Sequence, residues 1–377
     1  MAAVPVELVE NARRLGAAYD VADLGDVSMK DASVLRVKRS GARLAELTVD
    51  DFVGLDRSRL DTLLETGFPR DAEPRAAAFG TMLLNARMGG EATPIVDSLI
   101  HHLLPGRVVV HLHPESLAAI TCCGSGQYLT RDWFKKHEVP VLWLERCEEG
   151  VVLAKALAKV LAKSKRPAVD AAVLVSNGGV YLQAEEPAGL GVALERLLAT
   201  LAEKQVQQEV ASPEEMPAAD PQRLSAWGTA FSAATHGQPV ATDASAGVLA
   251  LLSRPSVRDA SLRGPILPDQ VVHCGSYPCH VEDDGGGDPE EALTAALAEH
   301  VEENDGLPRV LLVRPHGLVA CGTTPAAASI AAEVFAATAS VYVRSELMGV
   351  TRIVPAKERR ALEESRWTAQ RRAAAAD

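Results

Sequence analysis

Two stretches of this chain share one pattern, and together they limit the folds open to it more than any other feature. LVSNGGVYLQAEEP starts at Leu174 and LVRPHGLVACGTTP starts at Leu312. Each reads as an apolar strand, a glycine-bearing turn, a second strand, and a helix opening at Pro187 or Pro325. A strand–turn–strand–helix unit written twice implies two α/β units that are distant copies of one another. In that register His316 of the second copy falls where Gly178 stands in the first. Between the copies, the run QVQQEVASPEEMPAADPQR is acidic, carries prolines and lacks any period, which marks a linker. The expected division is therefore a first domain over 1–207, a linker over 208–223 and a smaller α/β domain over 224–377.

The chemistry concentrates between Thr93 and Pro114, TPIVDSLIHHLLPGRVVVHLHP. Asp97 and the pair His101–His102 sit on an apolar helical pattern. The strand Val108 to Val110 then delivers His111 and His113 at alternate positions, on one face of the strand. Two imidazoles on one face can converge on one metal ion, and Asp97 is a carboxylate close enough in sequence to handle a proton beside it. The plainer reading of the same spacing is a strand end with two solvated histidines.

Helical spacing predicts helices over 6–18, 49–66 with a cap at Asp50 or Asp51, 76–88, 114–123, 151–163, 187–204, 289–303 and 325–347. Strands are expected at 34–37, 139–144, 171–176, 180–183 and 309–314. Turns at Gly25-Asp26 and Ser40-Gly41 expose backbone N–H groups, and with Lys30, Lys38 and Arg39 nearby they suit an anion as well as an ordinary surface turn. Lys155, Lys159 and Lys163 form an i, i+4 row that reads as a solvated helix face.

Several function classes drop out. A net charge of −12 with dispersed Lys and Arg argues against a nucleic-acid surface. No apolar run approaches the ~18 residues of a membrane span, and the N-terminus lacks a signal-peptide pattern, so a cytoplasmic protein is expected. Six cysteines without a disulfide framework fit a reducing compartment. The run HCGSYPCH at His273 to His280 has metal-ligand residue types, but its spacing is not a structural zinc pattern. No G-x-G-x-x-G follows a strand, so no nicotinamide cofactor is expected.

Taken in order, several motifs carry a resemblance: a first helix; the turn Leu24-Gly25-Asp26 followed by Ser28 and Lys30; a K-x-S-G turn at Lys38 to Gly41; a helix start at Pro94-Ile95-Val96-Asp97; an H-x-H strand with Pro114; and the turn Asn177-Gly178-Gly179. That order resembles the class II aldolase and adducin family, above all the aldolase portion of the bifunctional rhamnulose-1-phosphate aldolase/alcohol dehydrogenase proteins, and it covers nearly the whole chain. The resemblance implies αβα layers around a mainly antiparallel sheet. It also implies a divalent metal, zinc first, and a homo-oligomer. His111 and His113 match metal ligands, Asp97 matches the catalytic acid, and Ser40, Gly41, Lys30 and Asn177 match the substrate-binding turns.

The chain departs from that pattern at four places. Asp26 replaces an Asn, Ile95 a Ser and Asp97 a Glu, while Gly178 occupies the position of the third histidine ligand. His102, His316, Asp97 or a cysteine are the candidates to complete the metal site. The function implied is a divergent metal-dependent aldolase, or a related carbon–carbon lyase, acting on a small sugar-like substrate. The alternatives are a non-catalytic adducin-like binding module and a metal-free enzyme that reuses the cleft with Asp97 and His113 as an acid–base pair.

Overall fold

The computed structural model describes residues 4–20, 25–164, 171–205, 218–304 and 306–374. The described chain forms two compact units. The first comprises Met1–Thr121, Gly126–Lys204 and Glu364–Trp367; the second comprises Cys122–Ser125, Gln205–Glu363 and Thr368–Asp377. Residues 208–217 of the expected linker lie outside the described residues, while its end already belongs to a helix that starts at Pro221 and is capped by the Asp220 side chain.

In the first unit the elements run α1 (Val6–Tyr19), β1 (Asp26–Lys30), β2 (Val34–Lys38), β3 (Phe52–Asp56), α2 (Arg57–Glu65), α3 (Ala72–Asn85), α4 (Ser98–Leu103), β4 (Val108–Leu112), α5 (Glu115–Thr121), α6 (Gly126–Trp133), β5 (Val141–Leu144), α7 (Val151–Lys163), β6 (Ala172–Val175), β7 (Val180–Ala184) and α8 (Pro187–Gln205). The strands form one sheet in the order β3-β2-β1-β4-β7-β6-β5. It is antiparallel at every pair except β5 with β6, as a mainly antiparallel sheet requires. β4 lies at its centre and is buried at all five positions, which accounts for its unbroken apolar run Val108-Val109-Val110. Beside the sheet, Leu35, Val37, Leu99, Ile100, Val109, Leu157 and Tyr181 belong to one apolar core.

Two local readings change. Residues 52–56, expected inside a helix, form β3, because Val53 and Leu55 alternate with partly exposed Phe52, Gly54 and Asp56 and pair along β2. The strand period of 2 prevails there over a coincidental helical spacing. Lys155 is not simply solvated: its amine donates to the Thr66 carbonyl at 2.8 Å and sits 5.6 Å over the Phe68 ring.

The second unit contains α9 (Pro221–Ala234), β8 (Val240–Asp243), α10 (Ala246–Ser253), α11 (Pro255–Arg263), β9 (Cys279–Glu282), α12 (Pro289–Asn304), β10 (Val310–Arg314), β11 (Gly317–Cys321), α13 (Pro325–Met348) and α14 (Ala356–Glu364); α15 (Arg366–Ala374) closes the described chain. Its sheet runs β8-β11-β10-β9. The outer pair β9/β10 is parallel and the other two pairs are antiparallel. The first unit contains the same module, β4-β7-β6-β5, with the same parallel outer pair. The register also agrees: Leu174 faces Val180 in the first copy, and Leu312 faces Leu318 in the second. The repeat read from two short sequences therefore extends over four strands, with a helix after each final strand. α13 is long and apolar enough to cross a membrane by composition, but 61% of its most apolar window is buried within the protein, as in a core helix.

Candidate functional site

The register of the first sheet builds the site. β1 pairs with β4 so that Asp26 faces His111, and β4 pairs with β7 so that His111 faces Tyr181. Directly opposed residues in antiparallel strands project to one face, so Asp26, His111 and Tyr181 form a row across three neighbouring strands. Asp97 is the residue before α4 and reaches the same row. Ligand atoms of Asp26, Asp97 and His111 all lie within 4.8 Å of one another.

Each side chain is held by identifiable contacts. The Tyr181 hydroxyl donates to Asp97 Oδ2 at 2.6 Å, and its ring stacks on that of His111 with centroids 4.0 Å apart and planes 7° from parallel. His111 Nδ1 stands 3.7 Å from Asp97 Oδ2. Lys38 joins the site to the Ser40-Gly41 turn, since its amine lies 3.3 Å from Asp26 Oδ1 and donates to the Ala42 carbonyl at 2.5 Å. Gly41 has φ 85°, the left-handed conformation that favours glycine in such a turn.

Burial sets the electrostatics. It pushes the Asp97 carboxyl up to about 7, and the charge of Glu149 pushes the same way, while the bond from Tyr181 pulls it down. His111 is driven well below its ordinary value by burial and then by His113, so it is a neutral imidazole. Its approach to Asp97 is accordingly not an ion pair but a neutral ring beside a carboxyl group. Tyr181 is raised well above the usual phenol range by burial and by Asp97. Two buried atoms at this cluster, His111 Nε2 and Asp97 Oδ1, have no hydrogen-bond partner among the described residues. Leaving such atoms buried and unsatisfied costs on the order of 1–3 kcal/mol each.

A divalent cation suits that arrangement. Two carboxylates and a neutral imidazole offer three protein ligands and leave further positions open, and the orphaned atoms of His111 and Asp97 gain a partner.

The remaining sequence candidates are distributed as follows. The His113 ring is centred 4.6 Å from that of His111, so the pair does share a face, and His113 turns its Nδ1 and its backbone N–H to Asp20 Oδ1 at 3.3 and 2.6 Å. The Asn177-Gly178-Gly179 turn lies against the end of β4. A Cβ at Gly179 would sit 2.0 Å from the Leu112 carbonyl oxygen and 2.8 Å from His113 Cδ2. A Cβ at Gly178 would press on Val175 at 3.3 Å. Asn177 is buried with φ 50°, and its N–H donates to the Thr121 carbonyl.

Lys30 donates to the carbonyls of His101 and Leu104, which makes it the C-terminal cap of α4; burial and Arg57 bring its amine down to about 7. His102 bonds Asp61 at 2.7 Å and receives Arg57. His101, next to it, bonds Ser28 at 2.8 Å. His316 belongs to the second unit, where its Nδ1 accepts the Asp220 N–H and its Nε2 lies 3.3 Å from Asp283. In the His273–His280 run, Cys274 donates to the Ala331 carbonyl and His280 bonds Ser261, so each is committed to its own neighbour.

Sequence reasoning did not assign roles to Tyr181 or Asp20; it read Lys38 as a cation beside an anion-binding turn rather than as the partner of Asp26, and treated Asp26 as a departure from that turn. Tyr181 left one signal, a polar handle inside the buried strand Val180–Ala184. The others depend on strand register across residues far apart in the chain.

A family model described as the class II aldolase and adducin N-terminal domain matches residues 7–200. Among curated proteins, the chain is 25% identical over 139 residues to the uncharacterized oxidoreductase YuxG of Bacillus subtilis (strain 168); the match covers 37% of this chain and 19% of that protein. The chain thus corresponds to about a fifth of that relative's length. Among solved structures, it is similar to the N-terminal class II aldolase domain of a conserved protein from Thermoplasma acidophilum, at 19% identity over 52% of this chain and 92% of that one with a TM-score of 0.44. It is also similar to a sugar-phosphate aldolase from Thermotoga maritima, at 15% identity over 54% and 95% of the two chains with a TM-score of 0.38.

Proposed function

The chain belongs to the class II aldolase and adducin family, and from that premise we propose that its first unit is a metal-dependent aldolase, or a related carbon–carbon lyase, acting on a small sugar-like hydroxy-carbonyl compound. The observation that carries the reading is the Asp26–Asp97–His111 cluster with its two buried, unpartnered ligand atoms. Asp26 and His111 would hold the ion, with Asp97 Oδ1 within reach of the same point. A divalent ion bound there supplies a Lewis acid that draws electron density from a substrate carbonyl oxygen.

The chain's own residues account for the rest. Retro-aldol cleavage needs a base to take the proton from the hydroxyl β to the carbonyl as the C–C bond breaks, and an acid to return a proton to the carbon left with the electron pair. A carboxyl group at about 7 changes protonation state at neutral pH, which suits Asp97 to that traffic. Tyr181 fixes the orientation of Asp97 through its hydroxyl and of His111 through its ring. His113, oriented by Asp20, stands beside His111 as a further donor or as a contact for the substrate. Lys38 offsets the charge of Asp26, so the entry of an anionic sugar derivative is less strongly opposed than Asp26 alone would make it. Ser40 and Gly41, tied to the cluster through Lys38, are proposed to contact the substrate, with Asn177 from the turn beside His113. An assembly of several copies is proposed on family grounds.

The test is aldehyde release from a panel of ketoses and ketose phosphates after loading with zinc or manganese. Cleavage of at least one member, reduced more than about a hundredfold in Asp97→Asn when assayed at saturating metal, is the expected result, in line with the ~10²–10⁴-fold worth of a positioned acid–base group. Metal-loaded protein that cleaves no member would overturn the lyase reading. The same Asp97–Tyr181 contact favours a second reading, a metal-free acid–base enzyme, whose cleavage would persist after chelation.

A further inference from the structure

The second unit contains a small cavity of about 210 Å³ that none of the chemistry above uses. His273, Arg309, Arg372, Thr235, Thr323 and the start of α13 line it, and no carboxylate is among its lining residues. We propose that this cavity is a binding site for a small phosphoryl-bearing compound, either inorganic phosphate or a phosphate ester with a short carbon chain.

Three observations converge on an anion. Arg309 has no ion-pair or hydrogen-bond partner for its guanidinium among the described residues, although it is only partly exposed. Arg372 is fixed in place by donating to the carbonyls of Val272 at 2.6 Å and Val271 at 3.0 Å. Carbonyl oxygens orient a guanidinium without neutralising it, so Arg372 brings its charge to the cavity beside that of Arg309 with no carboxylate bonded to it. His273 is only 7% exposed, and its ring has no hydrogen-bond partner among the described residues although it lines the cavity.

The acids behind the cavity are engaged elsewhere, although Glu363 still acts on Arg372 and Asp269 on His273 through space. Asp269, the acid nearest His273, is committed to Arg371 at 3.1 Å, and Glu363 is hydrogen-bonded to Ser276. The 24-residue helix α13 adds its N-terminal end to the same cavity, where its aligned N–H groups favour negative charge. Two guanidiniums and a helix start suit a tetrahedral oxyanion, which accepts several donors at once. The cavity is smaller than the ~300–1,000 Å³ of ordinary ligand pockets, which restricts the ligand to the phosphate group with at most a short appendage.

Phosphate binding to the whole 377-residue chain, followed by titration calorimetry at fixed ionic strength with chloride as the background anion, tests the proposal. Wild type is expected to show saturable binding of inorganic phosphate, weakened at least tenfold in Arg309→Ala. His273→Gln, which keeps a buried polar side chain, is expected to weaken it as well and serves if Arg309→Ala fails to fold. Titration with glycerol 3-phosphate assigns the source: tighter binding than phosphate identifies an ester, and equal binding identifies the free ion. Absence of saturable binding in wild type, or equal affinity in both folded variants, would overturn the proposal. Because the variants lie in the second unit and the readout is binding, this outcome is independent of whether the first unit cleaves a sugar.

Discussion

Replacing Tyr181 with Phe isolates one hydrogen bond. The ring remains to stack on His111 at 4.0 Å, but the 2.6 Å donation to Asp97 Oδ2 is lost. Asp97 Oδ1 already has no partner, so the substitution leaves both oxygens of a buried carboxyl group without a donor from the described residues. Orphaning a buried acceptor costs ~1–3 kcal/mol. For a unit of this size, where each kcal/mol moves the midpoint ~2–4 °C, that corresponds to a fall of about 2–12 °C in Tm.

The same loss acts on metal binding. The Tyr181 bond pulls the Asp97 carboxyl down against burial and Glu149, so without it Asp97 rises above about 7 and holds its proton more tightly at neutral pH. A proton on Asp97 competes with the ion. Removing such a supporting partner lowers metal affinity by ~10–100-fold. Calorimetric titration with zinc or manganese at pH 7 and at pH 8.5 reads this directly. The deficit should be larger at pH 7 and shrink towards pH 8.5, as a growing share of Asp97 is ionised in both proteins. Metal affinity within twofold of wild type at pH 7 would refute the reasoning, whatever the Tm.

Two further outcomes follow from packing and protonation. Gly179→Ala places a Cβ 2.0 Å from the Leu112 carbonyl oxygen, a backbone atom that cannot swing aside, so thermal unfolding should show a loss of at least the ~1–3 kcal/mol usual for overpacking; an unchanged Tm would contradict the assigned contact. Burial brings His101 down to about 3 and His273 to about 4, so the folded protein binds fewer protons than the unfolded chain below pH 6.5. Their stabilising contribution is complete above 6.5 and is lost as pH falls towards 4, by about 1.4 kcal/mol per pH unit for each histidine. A denaturant midpoint that stays flat from pH 6.5 to 4 would show that these rings are not buried neutral.

Local signals in the sequence anticipated much of the scaffold. α7 appears at the residues its apolar spacing indicates, and both copies of the strand–turn–strand–helix pattern fold as written, because glycine turns and prolines punctuate them within a few residues. β3 was hidden because five residues of alternation were outweighed by apolar positions on either side that also fit a helix. β8 gave no strand signal because three of its four positions are only partly buried and the fourth is exposed, which leaves no clean alternation. The site divides along the same line. Asp97 and His111 are close enough in sequence to be considered together. Asp26 and Tyr181 join them only through the pairings of β1 with β4 and β4 with β7, and pairings between distant strands are not written in any local run of residues.

The account depends most on the Asp26–Asp97–His111 cluster holding an ion. Metal content after equilibration with zinc or manganese and removal of excess, compared between wild type and His111→Ala, tests it most directly. The prediction is about one equivalent per chain in wild type and loss of that equivalent in a folded His111→Ala protein. A folded His111→Ala protein that keeps its full equivalent, or a wild type that takes up none, would contradict it.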